Sequence, residues 1–163
     1  MDKYSGWRHD LHKLRNIVLS RLYMRQSDRA DVVERFHRFY YDAKSFGETW
    51  GDTQWLGVNA LKCPFDLWVY QEILTELKPD LIIETGTYDG GSAFYLASIC
   101  DLLGHGEIVT VDIDDKAGRP KHDRITYVLG SSVDDGILAD LEERARGKER
   151  VMVFLDSDHR AEH

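Results

Sequence analysis

Cysteine is scarce in this 163-residue chain: only Cys63 and Cys100 are present, 37 residues apart and in no paired metal-ligand spacing. That excludes a disulfide scaffold or zinc knuckle and suits a reducing compartment with two structural thiols. Long hydrophobic runs are missing as well. The best candidate, NIVLSRLYM at 16–24, is interrupted by Arg21 and falls far short of the roughly 18 residues a membrane span needs. With no secretory leader visible, the expected location is cytoplasmic. Positive charge is in deficit: the net charge is −8, with seven Lys/Arg against three Asp/Glu in residues 1–30 and the acidic excess in the remainder. A nucleic-acid partner is therefore not expected. The basic N-terminal stretch reads as a solvated helix face or as a contact for an anionic surface. No internal repeat or low-complexity tract appears, and 42% hydrophobic content is enough for one real core.

What is present changes texture along the chain. Leu11, Leu14, Val18 and Leu22 recur at helical spacing, as do Val32, Phe36, Phe39 and Tyr40 after QSDRAD, where Ser27 or Asp28 can cap a helix. Residues 1–49 are thus expected to form an N-terminal helical segment, through which copies of the chain could associate as a homo-oligomer. Residues 45–62, rich in glycine and tryptophan, read as a structured loop. After Pro64 a helix places Leu67, Trp68, Ile73, Leu74 and Leu77 on one side. Then come four short, β-branched, almost wholly apolar segments: LIIET (81–85), EIVTVDID (107–114), ITYVLG (125–130) and VMVFLD (151–156). Helical stretches ended by Gly104 and Gly147 separate the first pair and the last pair. Apolar strands alternating with helices predict an α/β fold, a parallel sheet covered on both faces with right-handed crossovers.

The stretch LIIETGTYDGGSAF, 81–94, is a strand, a glycine turn and the start of a helix, an arrangement that binds several unrelated cofactors. A dinucleotide fingerprint would need glycine where Tyr88 stands, and no Gly-Lys-Ser/Thr follows to make a triphosphate loop. Glu84 and Asp89 would repel pyrophosphate and favour a cationic ligand. A nucleoside carrying an ammonium and a sulfonium, S-adenosylmethionine, fits that pattern. Asp112, 26 residues after Gly86, closes the second strand where an acid can accept both ribose hydroxyls. Asp112 and Asp114 could equally cap the strand at a solvent edge. Ser131 and Ser132 can meet an adenine edge or merely open a loop or cap a helix.

These residues carry a resemblance. From about Trp50 to His163, the motifs WGDTQWLG, KCPFD, KPDLIIETGTYDGGSA, VTVDID and VFLDSDH resemble the cephalosporin hydroxylase and rhamnosyl O-methyltransferase family. The resemblance implies a Rossmann-like class I methyltransferase fold over 50–163 and an S-adenosylmethionine cofactor. It places the cofactor on Glu84, Gly86, Gly90, Gly91 and Asp112, and the turn residues Thr87, Tyr88 and Ser92 between and beside them are expected to share in binding it. It also implies possible magnesium, with Asp156 as first ligand. VMVFLDSDH is similar over a short span to metal-dependent catechol O-methyltransferases, in which a basic side chain three residues past the acid takes the acceptor's proton; His159 stands there. As alternatives, Asp156 is a strand-end acid and His159 a polar loop residue.

In that family further strands follow and an acidic pair completes the metal site, whereas the sequence stops at His163. The fold is therefore expected to be truncated after its fourth strand, as part of a longer protein or with a partner chain covering VMVFL. Two functions compete: an S-adenosylmethionine-dependent O-methyltransferase acting on a sugar, glycolipid or secondary-metabolite hydroxyl, or a non-catalytic cofactor-binding or interaction module. A nicotinamide oxidoreductase is disfavoured by Tyr88 and Glu84. Nothing supplies the two histidines and carboxylate of a non-haem iron oxygenase. The loop bearing Trp50, Trp55 and Lys62 is the expected acceptor surface, unless both tryptophans simply anchor it to the core.

Overall fold

The computed structural model describes residues 5–23, 26–42 and 50–157. The chain divides into two compact units, Met1–Thr49 and Trp50–His163. The first contains α1 (Ser5–Tyr23) and α2 (Gln26–His37), which continues into a π-helical turn at Arg38–Asp42. Because α2 already begins at Gln26, Ser27 and Asp28 lie within its first turn rather than capping it. Exposed Arg35–Asp31 and Arg38–Glu34 pairs run along α2 at i,i+4. Leu11, Leu14, Val18, Val32, Phe36 and Phe39 all remain exposed. Among the described residues no helix is long and apolar enough to cross a membrane.

The second unit opens with a 3₁₀ turn, Trp50–Asp52, and a small antiparallel hairpin, β1 (Gln54–Trp55) and β2 (Val58–Asn59). The sequence reading treats this stretch as a loop. Its signal is the two-residue turn Leu56-Gly57, in which both residues have positive φ, 48° and 85°, the twist that suits a tight hairpin. Helix α3 (Pro64–Leu77) follows, with proline in its first turn and Lys78 closing it in the left-handed region. Its buried contacts are Leu67 and Leu74, whereas Trp68 and Leu77 face outward, so the predicted apolar side is only partly buried.

Four parallel strands form the sheet: β3 (Leu81–Thr85), β4 (Glu107–Asp112), β5 (Ile125–Leu129) and β6 (Val151–Leu155), in the order β5-β4-β3-β6. Helices α4 (Gly91–Leu103) and α5 (Asp135–Ala145) supply the crossovers on opposite faces. The chain moves from β3 outward to β4 and β5, then returns to the other side of β3 for β6. That reversal opens a crevice at the strands' carboxyl ends, where α/β sheets hold ligands.

Alternation along the strands sorts the core. Ile82 and Ile108 pack with Leu67, Leu74, Ala93, Leu96 and Cys100 under α3 and α4. Leu81, Ile83, Val109 and Val111 meet Leu141 of α5. Each fully buried Leu or Ile contributes about 1.5–3 kcal/mol. On β6, Met152 and Phe154 pack against the α3/α4 layer, while Val151, Val153 and Leu155 stay exposed. The predicted double-sided burial of this strand is therefore met on one face among the described residues.

The hairpin seats on α4. Trp55 crosses the Tyr95 ring edge-on at 4.9 Å and donates its indole N–H to Ser98 at 3.0 Å. Asn59's carbonyl lies where a Cβ on Gly91 would stand, 2.2 Å from that position. Gly91 is thus required by the hairpin's backbone, although it is an ordinary helical position. Gly91→Ala should destabilise the protein by about 1–3 kcal/mol through overpacking, against the roughly 1 kcal/mol that alanine's helix propensity favours. Gly51→Ala, where no atom lies within 4 Å, should be close to neutral in the same urea titration.

Candidate functional site

The sheet topology collects four strand ends around one cavity of about 620 Å³. Gly86, Thr87, Tyr88 and Ser92 come from the β3–α4 turn, Asp112, Ile113 and Asp114 from the end of β4, and Gly130, Ser131 and Ser132 from the end of β5. Asp156 and Ser157 follow β6, and Trp50, Asn59, Ala60 and Leu61 close the remaining wall. Its volume is in the usual range for a small-molecule site. The lining includes three aspartates and no lysine or arginine.

The turn is shaped by close backbone approach. Gly86, at φ 91°, donates its N–H to Val111 at 2.9 Å, and a Cβ there would stand 2.1 Å from the Asp156 carbonyl. Gly90, at φ 82°, sets the start of α4 and packs beside Pro120 and Tyr127. Gly90 and Gly91 are absent from the cavity lining. Their structural role is to bring the turn, the hairpin and the β4–β5 connection together.

Glu84 also lies behind the wall. Period-two alternation places it on the face of Ile82, beneath α4, where it is 1% exposed. Thr110 donates to its carboxylate at 2.7 Å, Ser92 adds a side-chain hydrogen bond, and Thr87 lies 2.7 Å from the Thr110 hydroxyl. Since the Thr110 proton is committed to Glu84, Thr87 must donate to Thr110. The turn is thereby tied to a buried carboxylate through two hydroxyls. Burial pushes the Glu84 carboxyl above the usual glutamate range, opposed by its hydrogen bonds and by the Lys62 charge. Burial likewise lowers the Lys62 amine, opposed by Glu84 and Asp66.

Asp112 serves two purposes. Its carboxylate accepts from the Tyr88 N–H at 2.7 Å and the Asp114 N–H at 3.0 Å while facing the cavity, so closing the strand end and lining the site are compatible. Tyr88, itself at φ 49°, is half exposed. The Lys116 ammonium sits 3.1 Å over its ring, and Arg119 donates to its carbonyl at 2.9 Å. Lys116 pairs with Asp89 at 3.2 Å, and Arg119 approaches Asp112 at 3.5 Å. Asp89 is therefore partly neutralised and does not make the turn anionic on its own; of the three aspartates in the lining, Asp112 and Asp156 likewise face cations, Arg119 and Lys62, that stay outside it. Lys116 and Arg119 escaped the sequence reading, although IDDKAGR directly follows the ribose-candidate acid. Thr110 escaped it too, although a polar residue on the Ile108 face of a buried strand was a signal.

Ser131 and Ser132 line the cavity. The helix-capping alternative falls to Asp134, whose carboxylate accepts from the N–H groups of Gly136 and Ile137. Of the tryptophans, Trp55 anchors the hairpin and Trp50 lines the cavity. Lys62 pairs with Asp156. Among the described residues no three His, Cys, Asp or Glu side chains gather into a possible metal site. Those residues do not fit magnesium by themselves: they offer Asp156, already facing an ammonium. Asp158 and His159, the proposed proton acceptor, lie outside the described residues.

Comparison with known proteins adds an independent finding. The family model described as Rhamnosyl O-methyltransferase/CmcI matches residues 47–163. A rhamnosyl O-methyltransferase of Mycobacterium bovis (strain BCG) is 37% identical over 149 residues, covering 88% of this chain and 58% of that protein. The chain thus spans little more than half the length of this curated relative. An apo structure of CmcI matches at a TM-score of 0.58 and 26% identity, covering 77% of this chain and 54% of that one. A CmcI structure with Mg-SAM matches at 0.56 and 25%, covering 76% and 53%.

The buried acid yields a pH signature. A carboxyl raised on folding binds its proton more tightly in the native state, so its contribution is fullest below the unfolded glutamate pKa and is lost as pH rises through the folded value. The stability of wild type relative to Glu84→Gln should therefore fall with rising pH across that window, read by urea denaturation at a series of pH values. Thr110→Val, which removes a donor to Glu84, should cost about 1–3 kcal/mol, and Thr110→Ser should restore most of it.

Proposed function

The chain belongs to the rhamnosyl O-methyltransferase/CmcI family, and from that membership we propose that the protein is an S-adenosylmethionine-dependent O-methyltransferase acting on a hydroxyl of a sugar, glycolipid or secondary metabolite. The observation that carries this reading is the cavity at the carboxyl ends of four parallel strands, lined by Asp112, Asp114 and Asp156 and by no lysine or arginine, with a tyrosine-containing turn in place of a pyrophosphate loop. When bound, the cofactor supplies an electrophilic methyl group on a sulfonium.

The chain's own residues bind and orient. Asp112 keeps acceptor capacity beyond its two backbone bonds and faces the cavity, where it can take the ribose hydroxyls. Exposed Ile113 offers an apolar surface beside the cavity hydroxyls of Ser131 and Ser132, a combination suited to adenine. The Tyr88 ring, backed by Lys116, crowds the place where a pyrophosphate would approach. Trp50 in the lining suits an acceptor ring. His159 is our assignment for the group that takes the acceptor's proton, three residues beyond Asp156. A magnesium role for Asp156 would require Lys62 to move and further ligands to join it, so no step is routed through a metal. Exposed Leu11, Leu14 and Val18 on α1 support association with a second copy.

Calorimetric titration should show binding of S-adenosylhomocysteine and none of NAD. Asp112→Ala should weaken the former by about 1.5–3 kcal/mol, the range for hydrogen bonds assisted by charge. Preferential NAD binding would overturn the assignment.

A further inference from the structure

Two charged side chains grip the same pair of residues in the cavity wall. Asp112 takes their N–H groups: Oδ2 accepts from Tyr88 at 2.7 Å and Oδ1 from Asp114 at 3.0 Å. Arg119 takes their carbonyls: Nε donates to Tyr88 at 2.9 Å and Nη2 to Asp114 at 2.8 Å. The ring closes where Nη2 approaches Asp112 Oδ2 at 3.5 Å. Tyr88 belongs to the turn after β3 and Asp114 to the segment beyond β4, so this ring ties the two segments into one frame.

Arg119 is itself held. Its side chain is 9% exposed, its stem packs beside Gly90, and its guanidinium lies 5.7 Å from the centre of the Tyr127 ring. The next residue, Pro120, accepts from the Tyr127 hydroxyl at 2.8 Å. A planar guanidinium presents its donors in a fixed fork, which suits two carbonyls at once. A buried ion pair is by itself weak evidence of anything but local structure. Here, however, all three residues that Arg119 bonds or pairs with on this side, Tyr88, Asp112 and Asp114, line the cavity, while Arg119 does not. Whatever it does for a ligand it does through them.

This inference rests on the cofactor reading and deepens it. An aspartate carboxylate turns easily about its last torsion, so an acceptor meant for two hydroxyls must be fixed by its surroundings. Both Asp112 oxygens are engaged from the protein side, and Arg119 holds in place the two peptide groups that engage them. We infer that Arg119 is a positioning residue for the ribose: it orients Asp112 toward the sugar hydroxyls without touching them.

The test is calorimetry with S-adenosylhomocysteine and its dideoxyribose analogue, which keeps the base, thioether and amino-acid end but lacks both ribose hydroxyls. Wild type should favour the former. Arg119→Met should weaken S-adenosylhomocysteine about tenfold, the order of one hydrogen bond, and leave the analogue unchanged, so that the preference narrows. Arg119→Lys keeps a cation but offers one nitrogen where the guanidinium offers two; it serves if Arg119→Met does not fold, and should lose part of the same preference. Equal weakening of both ligands, or a preference as large as that of wild type in either variant, overturns the role of Arg119 and leaves the cofactor reading standing. Wild type that binds both ligands alike overturns the ribose role of Asp112 and that of Arg119 with it, and wild type that binds neither overturns the cofactor reading as well.

Discussion

The structure around the cavity depends on a carboxylate that the cavity does not contain. Glu84 is sealed beneath α4 near the end of an inner strand, and its hydrogen-bond partners belong to different elements: Thr110 to β4 and Ser92 to the first turn of α4. A buried charge is tolerated only when its hydrogen bonds are made, so satisfying Glu84 fixes the registration of those elements with respect to β3. Thr87 extends the network into the turn through the Thr110 hydroxyl. The position of the cavity floor therefore follows from the needs of an acid behind it.

A second layer of constraint is steric. Gly86 and Gly91 permit backbone to lie against backbone, the former against the residue after β6 and the latter against the hairpin. Both contacts leave no room for a β-carbon. Through them the turn after β3 is in register with two walls of the site that are distant in sequence. The glycines of the motif thus act on the protein's own chain, and their effect on a ligand is indirect, through the shape they permit.

Electrostatics completes the arrangement. The connection between β4 and β5 sends Lys116 and Arg119 back over Tyr88, where they neutralise Asp89 and approach Asp112. On the other side Lys62 reaches Asp156. Asp112 and Asp156 are thus held by cations that stay out of the lining, so the cavity keeps an acceptor-rich surface.

The sequence by itself determined the four strands of the parallel sheet, the crossover helices after β3 and β5, and the glycine turn, because apolar periodicity and turn chemistry are local properties. It also determined that Asp112, Ser131, Ser132 and Asp156 would share one edge, since successive parallel strands bring their carboxyl ends together. Tertiary structure alone decided which of the motif's residues face the cavity. Glu84 went behind the wall because alternation placed it under α4, and Gly90 and Gly91 were used for packing against segments that no local pattern relates to them. Only the folded chain brought Lys62, Lys116 and Arg119 to their acids, because ion pairs are relations between residues distant in sequence and become visible when the backbone has closed around them.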